Sequence, residues 1–433
     1  MRVAIITWGS RGDYQPYLAL AAVLQKAGHE VRMTAPNGPL FDGIAKRFGV
    51  DVVFAGPPVE SQVVEEAIEE IDYTKVNPVT LVRMTLDHLL APETWGDMFD
   101  CCVELARWSD VVVSHFLQVT GRMAAEAAEK PWVSSTLVPT QIPTDSRAPG
   151  GKAHRWRFVN RRAWKRAIGF MNSAWLPPVN AARQRAGLPP LDDLAVDGFY
   201  SSRLNLVAAS PTVFPQPRDW GPQHQMTGYW RPDEVGDWEP SPELEEFMAR
   251  GPAPICIGFG SMPSKDPEGL SRTVHDVVDR LAVRAIIEPG MALLSAVDDP
   301  MTIHPANLPH TWLLPRVRAI VHHGGAGTTA AALDFGVPQV IVPHLYDQHF
   351  WAERTHQLGV APRPLPIDSL SADRLASAIS RVLSEKRFDE RAKKISEAIA
   401  QEGGTRNAIS LIEKSLEYER SVGEATPTFG GSQ

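Results

Sequence analysis

A glycine-rich run headed by two histidines is the part of this sequence whose residue types best suit chemistry. It reads Val321-His322-His323-Gly324-Gly325-Ala326-Gly327-Thr328-Thr329 and continues the apolar segment 319–321. Small residues let the backbone approach a ligand, and a helix beginning near Thr328 would present unpaired amide groups and a partial positive charge. A histidine beside that helix would donate to the same anion. The run therefore predicts a phosphate site formed by His322, Gly324, Gly325, Ala326, Gly327 and Thr328.

An acid–amide pair follows the next predicted strand. The segment Pro343-His344-Leu345-Tyr346-Asp347-Gln348 brings a carboxylate and a carboxamide together. These groups accept hydrogen bonds from sugar hydroxyls, and the amide also donates to them. A phosphate site followed by a sugar site is the layout of a nucleotide-sugar site. We therefore expect Asp347 and Gln348 to hold a hexose, with glucose as the first choice.

A second carboxylate stands just past the first predicted strand. The loop Gly9-Ser10-Arg11-Gly12-Asp13-Tyr14-Gln15-Pro16 follows the apolar segment 3–7. Transfer of a sugar requires a base for the acceptor hydroxyl and charge stabilisation on the leaving group. Asp13 is the leading candidate for that base. The alternative is that Asp13 caps the helix that follows, because aspartate is a favoured capping residue.

Short apolar segments alternate with helical patterns along most of the chain. Strands are predicted at 3–7, 30–35, 50–54, 110–115, 132–136 and 205–209, and then at 254–259, 284–288, 312–314, 319–322 and 339–342. This alternation predicts βαβ units, parallel sheets and an α/β fold class. Ligands of such sheets bind beyond the carboxyl ends of the strands. Asp13 and His322 should therefore lie at one cleft between two domains.

The composition limits the class of protein. A chain of 433 residues is too long for one ordinary core, so two domains are expected. The net charge of −8 gives no reason to expect a nucleic-acid partner. Three cysteines, no leading signal-peptide pattern and no run of 18 apolar residues indicate a cytoplasmic protein. The G-x-G-x-x-G fingerprint is missing after the first strand, which makes a nicotinamide enzyme a poor interpretation.

Three motifs in order carry a resemblance to a known family. The His-His-Gly-Gly-Ala-Gly-Thr run with its downstream Asp-Gln resembles the donor signature of family-1 glycosyltransferases, above all their bacterial antibiotic-type and sterol-type members. The loop 9–16 looks like the N-terminal segment of the same proteins. The segment 257–262, Ile-Gly-Phe-Gly-Ser-Met, looks like the opening strand of their donor domain. The resemblance extends from Met1 to about Ser415.

The resemblance implies the GT-B fold, two facing Rossmann-like parallel-sheet domains with an interdomain cleft. The expected division is an acceptor domain at 1–215, a linker at 216–240, a donor domain at 241–405, a helix at 406–420 that crosses back to the first domain, and a flexible tail at 421–433. The linker interval is rich in proline, glycine and tryptophan and has no steady period. The acidic pairs 192–193 and 298–299 lack the spacing of a metal motif, so no metal is expected.

The resemblance also implies an activity and assigns residues to it. Family members transfer a sugar with inversion and without a metal ion, from UDP-glucose or a dTDP-sugar used as co-substrate to a small hydrophobic acceptor such as a sterol, a lipid or a polyketide. The loop that contains Asp13 carries the base in the family, where many members have a histidine that is oriented by an aspartate after a later strand. Here the first position is Asp13 and the later one is His115, so His115 would be its partner or the base itself. The alternative is that His115 is only a histidine with satisfied hydrogen bonds at a strand end. Further donor contacts are expected from Ser10, Arg11, Gly12, Ser261, Trp312 and Leu313.

Two other classes of function are compatible with the same motifs. Nucleotide-sugar epimerases use this architecture without an acceptor. A binding protein that keeps the fold without turnover is the other alternative. The abundance of tryptophan, proline and methionine in the first domain favours an acceptor pocket, and so a transferase, over the epimerase. The presence of Asp13, His322 and the Asp347–Gln348 pair argues against the binding protein.

The segment 147–171 is strongly basic and contains no acid. Its cations are Arg147, Lys152, Arg155, Arg157, Arg161, Arg162, Lys165 and Arg166. Apolar residues recur among them at helical spacing, namely Trp156, Val159, Ala163, Ala167, Phe170 and Met171. One interpretation is a basic amphipathic helix that makes a peripheral contact with an anionic membrane. The other is an exposed helix whose apolar face packs on the core.

Overall fold

A computed structural model of the chain contains two parallel β-sheets flanked by helices. The structure describes residues 1–9, 11–37, 39–58, 90–231, 238–260, 262, 264, 266–292, 294–296, 299–305, 308–344 and 347–424. All of the strand pairs are parallel, as the alternating pattern predicts. Covered on both faces by helices, these strands are continuous apolar runs such as Val111 to Val113.

The first sheet has the strand order β3-β2-β1-β4-β5-β6-β7. Its strands are β1 (Arg2–Ile6), β2 (Glu30–Asn37), β3 (Asp51–Pro58), β4 (Val111–His115), β5 (Trp132–Thr136), β6 (Asn205–Val207) and β7 (His224–Met226). Its helices are α1 (Arg11–Lys26), α2 (Pro39–Phe48), α3 (Pro92–Trp108), α4 (Val119–Ala127) and α5 (Arg157–Arg185).

The second sheet has the strand order β10-β9-β8-β11-β12. Its strands are β8 (Ile255–Gly258), β9 (Ala285–Glu288), β10 (Thr302–Ile303), β11 (Ile320–His322) and β12 (Gln339–Ile341). The helices of this half are α6 (Pro242–Ala249), α7 (Pro267–Leu281), α8 (His310–Leu313), α9 (Ala326–Asp334), α10 (Asp347–Leu358), α11 (Ala372–Ser384), α12 (Arg387–Ile399) and α13 (Thr405–Glu424).

The two halves of the chain touch at several points. Helix α13 packs its apolar face, including Ala408 and Ile412, into the core of the first sheet. From α10, Arg354 donates through Nε to the backbone oxygen of Val213 at 2.6 Å. Glu402 accepts from the hydroxyl of Ser210 at 2.7 Å. These contacts hold the donor half against the end of the first sheet.

Each sheet reverses its strand order next to a central strand. In the first sheet the reversal falls between β1 and β4, and in the second between β8 and β11. Loops that leave neighbouring strands in opposite directions open a crevice at that point, which is where α/β sheets bind ligands. The residue after β1 leads to Asp13, β4 ends at His115, and β11 ends at His322. The candidate site residues therefore lie at both crevices.

Three details differ from the sequence-based expectations. The predicted linker 216–240 contains β7, which pairs with β6 and extends the first sheet past residue 215. The strand predicted at 312–314 is part of α8 and the helical turn after it. Strand β10, with two residues, has no counterpart among the predicted strands. Elements this short carry too few residues for a period to identify them.

Candidate active site

Asp13 lies in the first turn of α1, directly after the turn that leaves β1. The chain at the end of β1 is fixed because the amide of Thr7 donates to the hydroxyl of Thr34 at 2.9 Å. Gly9 has a φ of 140°, and a Cβ atom there would lie 2.7 Å from a carboxylate oxygen of Asp13. Glycine at this position therefore leaves room for the carboxylate. The helix starts at Arg11, so Asp13 is not the capping residue.

His115 ends β4 and lies near the same carboxylate. Burial lowers the pKa of His115 to about 4, and the negative charge of Asp13 opposes that change. The ring is therefore neutral at physiological pH and can accept a proton. Tyr17, one turn after Asp13, lies edge-on to His115 with ring centroids 6.4 Å apart. Its hydroxyl is 2.7 Å from the hydroxyl of Ser135, which fixes the tyrosine.

His322 is fully buried, and both of its ring nitrogens are engaged within the protein. Its Nδ1 accepts from the amide of Gly324 at 3.1 Å, and its Nε2 donates to the side-chain oxygen of Gln339 at 2.8 Å. Its exposed fraction is 0%. In this arrangement neither ring nitrogen of His322 is left to donate to a diphosphate, contrary to what was expected of this residue. His322 instead holds the first turn of the glycine-rich loop in place.

The neighbouring His323 is placed differently from His322. Its ring lies between two glycine loops, because a Cβ at Gly325 would meet its Nε2 and a Cβ at Gly260 would meet its Cε1. Its exposed fraction is 8%, and its Nδ1 finds no hydrogen-bond partner within the described residues. Burial is the main cause that lowers its pKa to about 3. His323 is therefore neutral and has a nitrogen available for a ligand.

The glycine-rich loop leads into the start of α9. Gly324 has a φ of 88°, and a Cβ there would lie 2.7 Å from Ile341, so this turn requires glycine. Helix α9 begins at Ala326, and the amide of Thr329 is the first with a partner inside the helix, the oxygen of Gly325. The preceding amides, Ala326, Gly327 and Thr328, have no partner of the i−4 type, as at any helix start. Unpaired amides at a helix start favour an anion.

Asp347 and Gln348 begin α10, at the end of the neighbouring strand β12. Asp347 accepts from the indole nitrogen of Trp351 at 3.0 Å. The pKa of Asp347 is raised to about 6, mainly by burial and in part by the negative charge of Asp13. Gln348 is buried, accepts from the amide of His344 at 2.8 Å and lies 3.0 Å from the sulfur of Met262. The carboxylate of Asp347 therefore faces the first domain. Gln348 instead stabilises the loop that leads into α10.

The structure places the remaining expected donor contacts in different surroundings. Leu313 is fully buried in the core beneath β11, so its expected contact with a nucleotide base is wrong. Trp312 is half-buried, between the ring of Trp238 at 5.1 Å and the guanidinium of Arg316 at 4.9 Å. Gly12 is exposed in the first turn of α1. Ser10, Ser261 and the side chain of Arg11 lie outside the described part of the chain.

The structure adds two histidines to the candidate site. His344 follows β12, and its Nε2 is buried without a partner within the described residues. Its charge lowers the pKa of His323, as does that of His310 at the start of α8. The signal for His344 was present in the sequence, because it directly follows a predicted strand. His310 had no such signal, since the strand predicted near it is a helix.

Cys101, Cys102 and Cys256 are free thiols. Across the described ranges, no group of three acidic, histidine or cysteine side chains is arranged to hold a metal ion. Nor does any described helix have both the length and the apolar character needed to cross a bilayer.

Comparison with known proteins gives relatives over the full length of the chain. Residues 272–413 match the family model described as Erythromycin biosynthesis protein CIII-like, C-terminal domain. The O-mycaminosyltylonolide 6-deoxyallosyltransferase of Streptomyces fradiae is 33% identical, over 96% of this chain and 97% of its own. A sterol 3-beta-glucosyltransferase of Arabidopsis thaliana is 29% identical, over 100% of this chain and 68% of its own.

Solved structures of glycosyltransferases have the same fold. The solved structure of glycosyltransferase VinC in complex with dTDP has a TM-score of 0.71 at 22% identity, covering 96% of this chain and 100% of that one. At that identity the likeness shows the fold alone, and it confirms the predicted GT-B architecture. The full-length match at 33% identity extends this from the fold to the family. The chain belongs to the family-1 glycosyltransferases.

Proposed function

We propose that the protein is an inverting, metal-independent hexosyltransferase that moves glucose from UDP-glucose to a hydroxyl of a small hydrophobic acceptor. The observation that carries this proposal is that Asp13, in the first turn of α1, and Asp347, at the start of α10, lie close enough for their charges to interact. The negative charge of Asp13 is one of the causes that raise the pKa of Asp347. Asp13 belongs to the candidate base loop and Asp347 to the candidate sugar loop.

Asp13 takes the proton from the acceptor hydroxyl in this proposal. His115 beside it is neutral and can take up that proton. The carboxylate of Asp13 then stabilises the imidazolium that forms at His115. Either residue can therefore hold the proton while the acceptor oxygen attacks the anomeric carbon. A single displacement converts an α-linked donor into a β-linked product. Proton transfer of this kind contributes about 10²- to 10⁴-fold to a rate.

The start of α9 and His323 stabilise the leaving diphosphate. Three consecutive amides, at 326–328, stand at a helix N-terminus, where a partial positive charge favours anions. His323 adds a neutral N–H donor beside them. Fixed donors in a partly dry site lower the free energy of the charged leaving group, and this electrostatic contribution takes the place of a metal ion.

The relatives support the reaction class but divide on the sugar. One is named for a deoxyallosyl group and the other for glucose. Their acceptors, by name, are a tylonolide derivative and a sterol. Both acceptors are hydrophobic alcohols, which supports a hydrophobic acceptor here. A 6-deoxyhexose on dTDP is therefore the first donor to examine after UDP-glucose.

Replacing Asp347 by asparagine should remove a pH dependence as well as weaken sugar binding. Its raised pKa means that the carboxylate is present above about pH 6 and protonated below it. We expect kcat/KM for the sugar donor to fall as pH falls through about 6 in the native protein. D347N should lower kcat/KM by about 10- to 100-fold and flatten that profile. An unchanged profile in the variant would contradict the role of Asp347.

The direct test is release of nucleoside diphosphate from UDP-glucose with a panel of sterols and polyketide alcohols, with products identified by mass. We expect acceptor-dependent release, one glucosyl unit added to the acceptor, and the same rate in excess chelator. If transfer occurred only from dTDP-sugars, the proposed donor would be wrong and the proposed reaction class would stand.

Two outcomes of that test would overturn the proposal. A rate abolished by chelator would exclude the metal-independent mechanism. A free epimerised sugar nucleotide without acceptor product would show the epimerase alternative in place of transfer.

A further inference from the structure

The first half of α5 presents large aromatic side chains to solvent. The exposed fractions are 60% for Trp156, just before the helix, 62% for Phe158 and 49% for Phe170. Phe158 and Phe170 are twelve residues apart, about 18 Å along the helix. Large apolar side chains exposed along one surface indicate an interaction site when they occur together.

The inward face of this helix is fixed by different residues. Trp164 is buried and donates from its indole nitrogen to the backbone oxygen of Arg147 at 2.7 Å. Asn160 is fully buried and donates to the backbone oxygen of Asp145 at 2.9 Å. The residues that the helical spacing placed on one apolar face therefore do not all point toward the core. Trp156 and Phe170, which the periodicity placed on it, point away from the core.

Basic side chains surround the exposed aromatic rings. Phe158, Arg162, Arg166 and Phe170 follow one another at intervals of four residues, so they form one outward stripe. Arg161 and Lys165 are also exposed beside it. The sequence contains no acidic residue from Ser146 to Leu191. We call Trp156, Phe158, Phe170 and these four cations the α5 surface.

We propose that the α5 surface docks the protein on an anionic lipid bilayer. Aromatic rings enter the interfacial region of a bilayer, while arginine and lysine side chains contact anionic headgroups. A bilayer engages both kinds of side chain at once. A nucleic acid would gain little from three exposed rings on a helix, and the rest of the chain is acidic, with a net charge of −8 for the whole.

The segment that leads into the α5 surface lies beside the cleft. The segment that leads into α5 contacts α10, since a Cβ at Gly151 would strike the ring of Phe350. The guanidinium of Arg147 stacks on the rings of Phe214 and Phe350, at 5.6 and 5.8 Å. Helix α10 begins at Asp347. A docked bilayer would therefore lie on the side of the protein that carries the candidate sugar site, where a hydrophobic acceptor would arrive from the lipid.

The test is co-sedimentation of the full chain with neutral phosphatidylcholine vesicles and with vesicles that contain about 30 mol% phosphatidylglycerol. We expect binding only to the anionic vesicles. R162Q/R166Q should weaken it about 30-fold, because each basic residue near the surface contributes about a factor of five. F158A/F170A should weaken it about 10-fold or more. K393Q/K394Q removes the same charge from exposed positions on α12 and should bind as the native protein does.

Several results would overturn the proposal. They are equal binding by R162Q/R166Q and K393Q/K394Q, absence of binding to anionic vesicles, or RNA binding that F158A/F170A leaves intact. Transfer to a water-soluble acceptor in detergent-free buffer reports the proposed activity separately. If the protein does not bind anionic vesicles but still transfers sugar to the water-soluble acceptor, the docking proposal fails and the proposed activity stands.

Discussion

Asp13→Asn is expected to reduce kcat for glycosyl transfer by about 10²- to 10⁴-fold, the contribution of a positioned base. The carboxamide has nearly the same shape, so the packing of the side chain against Gly9 is kept. Affinity for the nucleoside diphosphate should stay within about threefold, since the glycine-rich loop and the Asp347–Gln348 loop belong to the other domain and the expected contacts of Ser10, Arg11 and Gly12 do not involve the carboxylate of Asp13. Initial rates at saturating donor and calorimetric titration of nucleotide measure the two quantities.

A matched control removes the same charge at the opposite end of the first sheet. Asp51 begins β3 and pairs with Arg32 on the exposed surface. Because all strands of the sheet run parallel, the start of β3 lies away from the cleft. D51N should keep native turnover. Equal turnover of D13N and D51N would contradict the assignment of Asp13.

The variant His115→Gln distinguishes the role of His115 from that of Asp13. If Asp13 alone holds the proton, H115Q retains most of the rate at neutral pH. If His115 is the base, H115Q loses as much as D13N. The pKa of His115 is lowered to about 4, so activity that requires the neutral ring persists as pH falls and is lost only below that value. Asp13→Asn removes the charge that raises this pKa and should move that acid limit lower still.

The sequence predicted the sheets and the loops of the site but not the direction of every side chain. Asp13, His115 and the 324–328 loop follow apolar runs whose ends are visible in the sequence, and parallel sheets bring such ends to one edge. His322 and His323 are adjacent, and consecutive residues at a strand end point to opposite sides. The sequence places the end of β11 correctly at His322 but does not show which of the two rings turns into the core.

Other differences arose where a segment was short or its surroundings were unknown. Trp312 and Leu313 lie in a short apolar run that suits a strand or a buried helix equally well, and tertiary packing made it α8. In α5, helical spacing alone did not identify the inward face. Asn160, a polar residue, is fully buried there because backbone groups of the preceding loop pair with its amide.

Single replacements of the two histidines should give opposite results. We expect His323→Ala to weaken nucleoside diphosphate binding by about 10- to 100-fold, the loss of one hydrogen bond to a charged group, with little change in the free energy of unfolding. We expect His322→Ala to lower the free energy of unfolding by about 2 to 4 kcal/mol. That replacement leaves the amide of Gly324 and the side-chain oxygen of Gln339 without partners in the core.

The pH dependence of nucleotide binding distinguishes the neutral donor from a cationic one. The pKa of His323 is lowered to about 3, so the ring is neutral throughout the physiological range and its N–H donor does not depend on protonation. Affinity should therefore not fall as pH rises from about 5 to about 8, whereas a cationic histidine would lose its charge across that interval. Calorimetric titration with UDP or dTDP at both pH values measures this. If H322A alone weakened nucleotide binding while remaining as stable as the native protein, the two roles would be reversed, and the ring of His322 would have to turn out of the core to reach the phosphate.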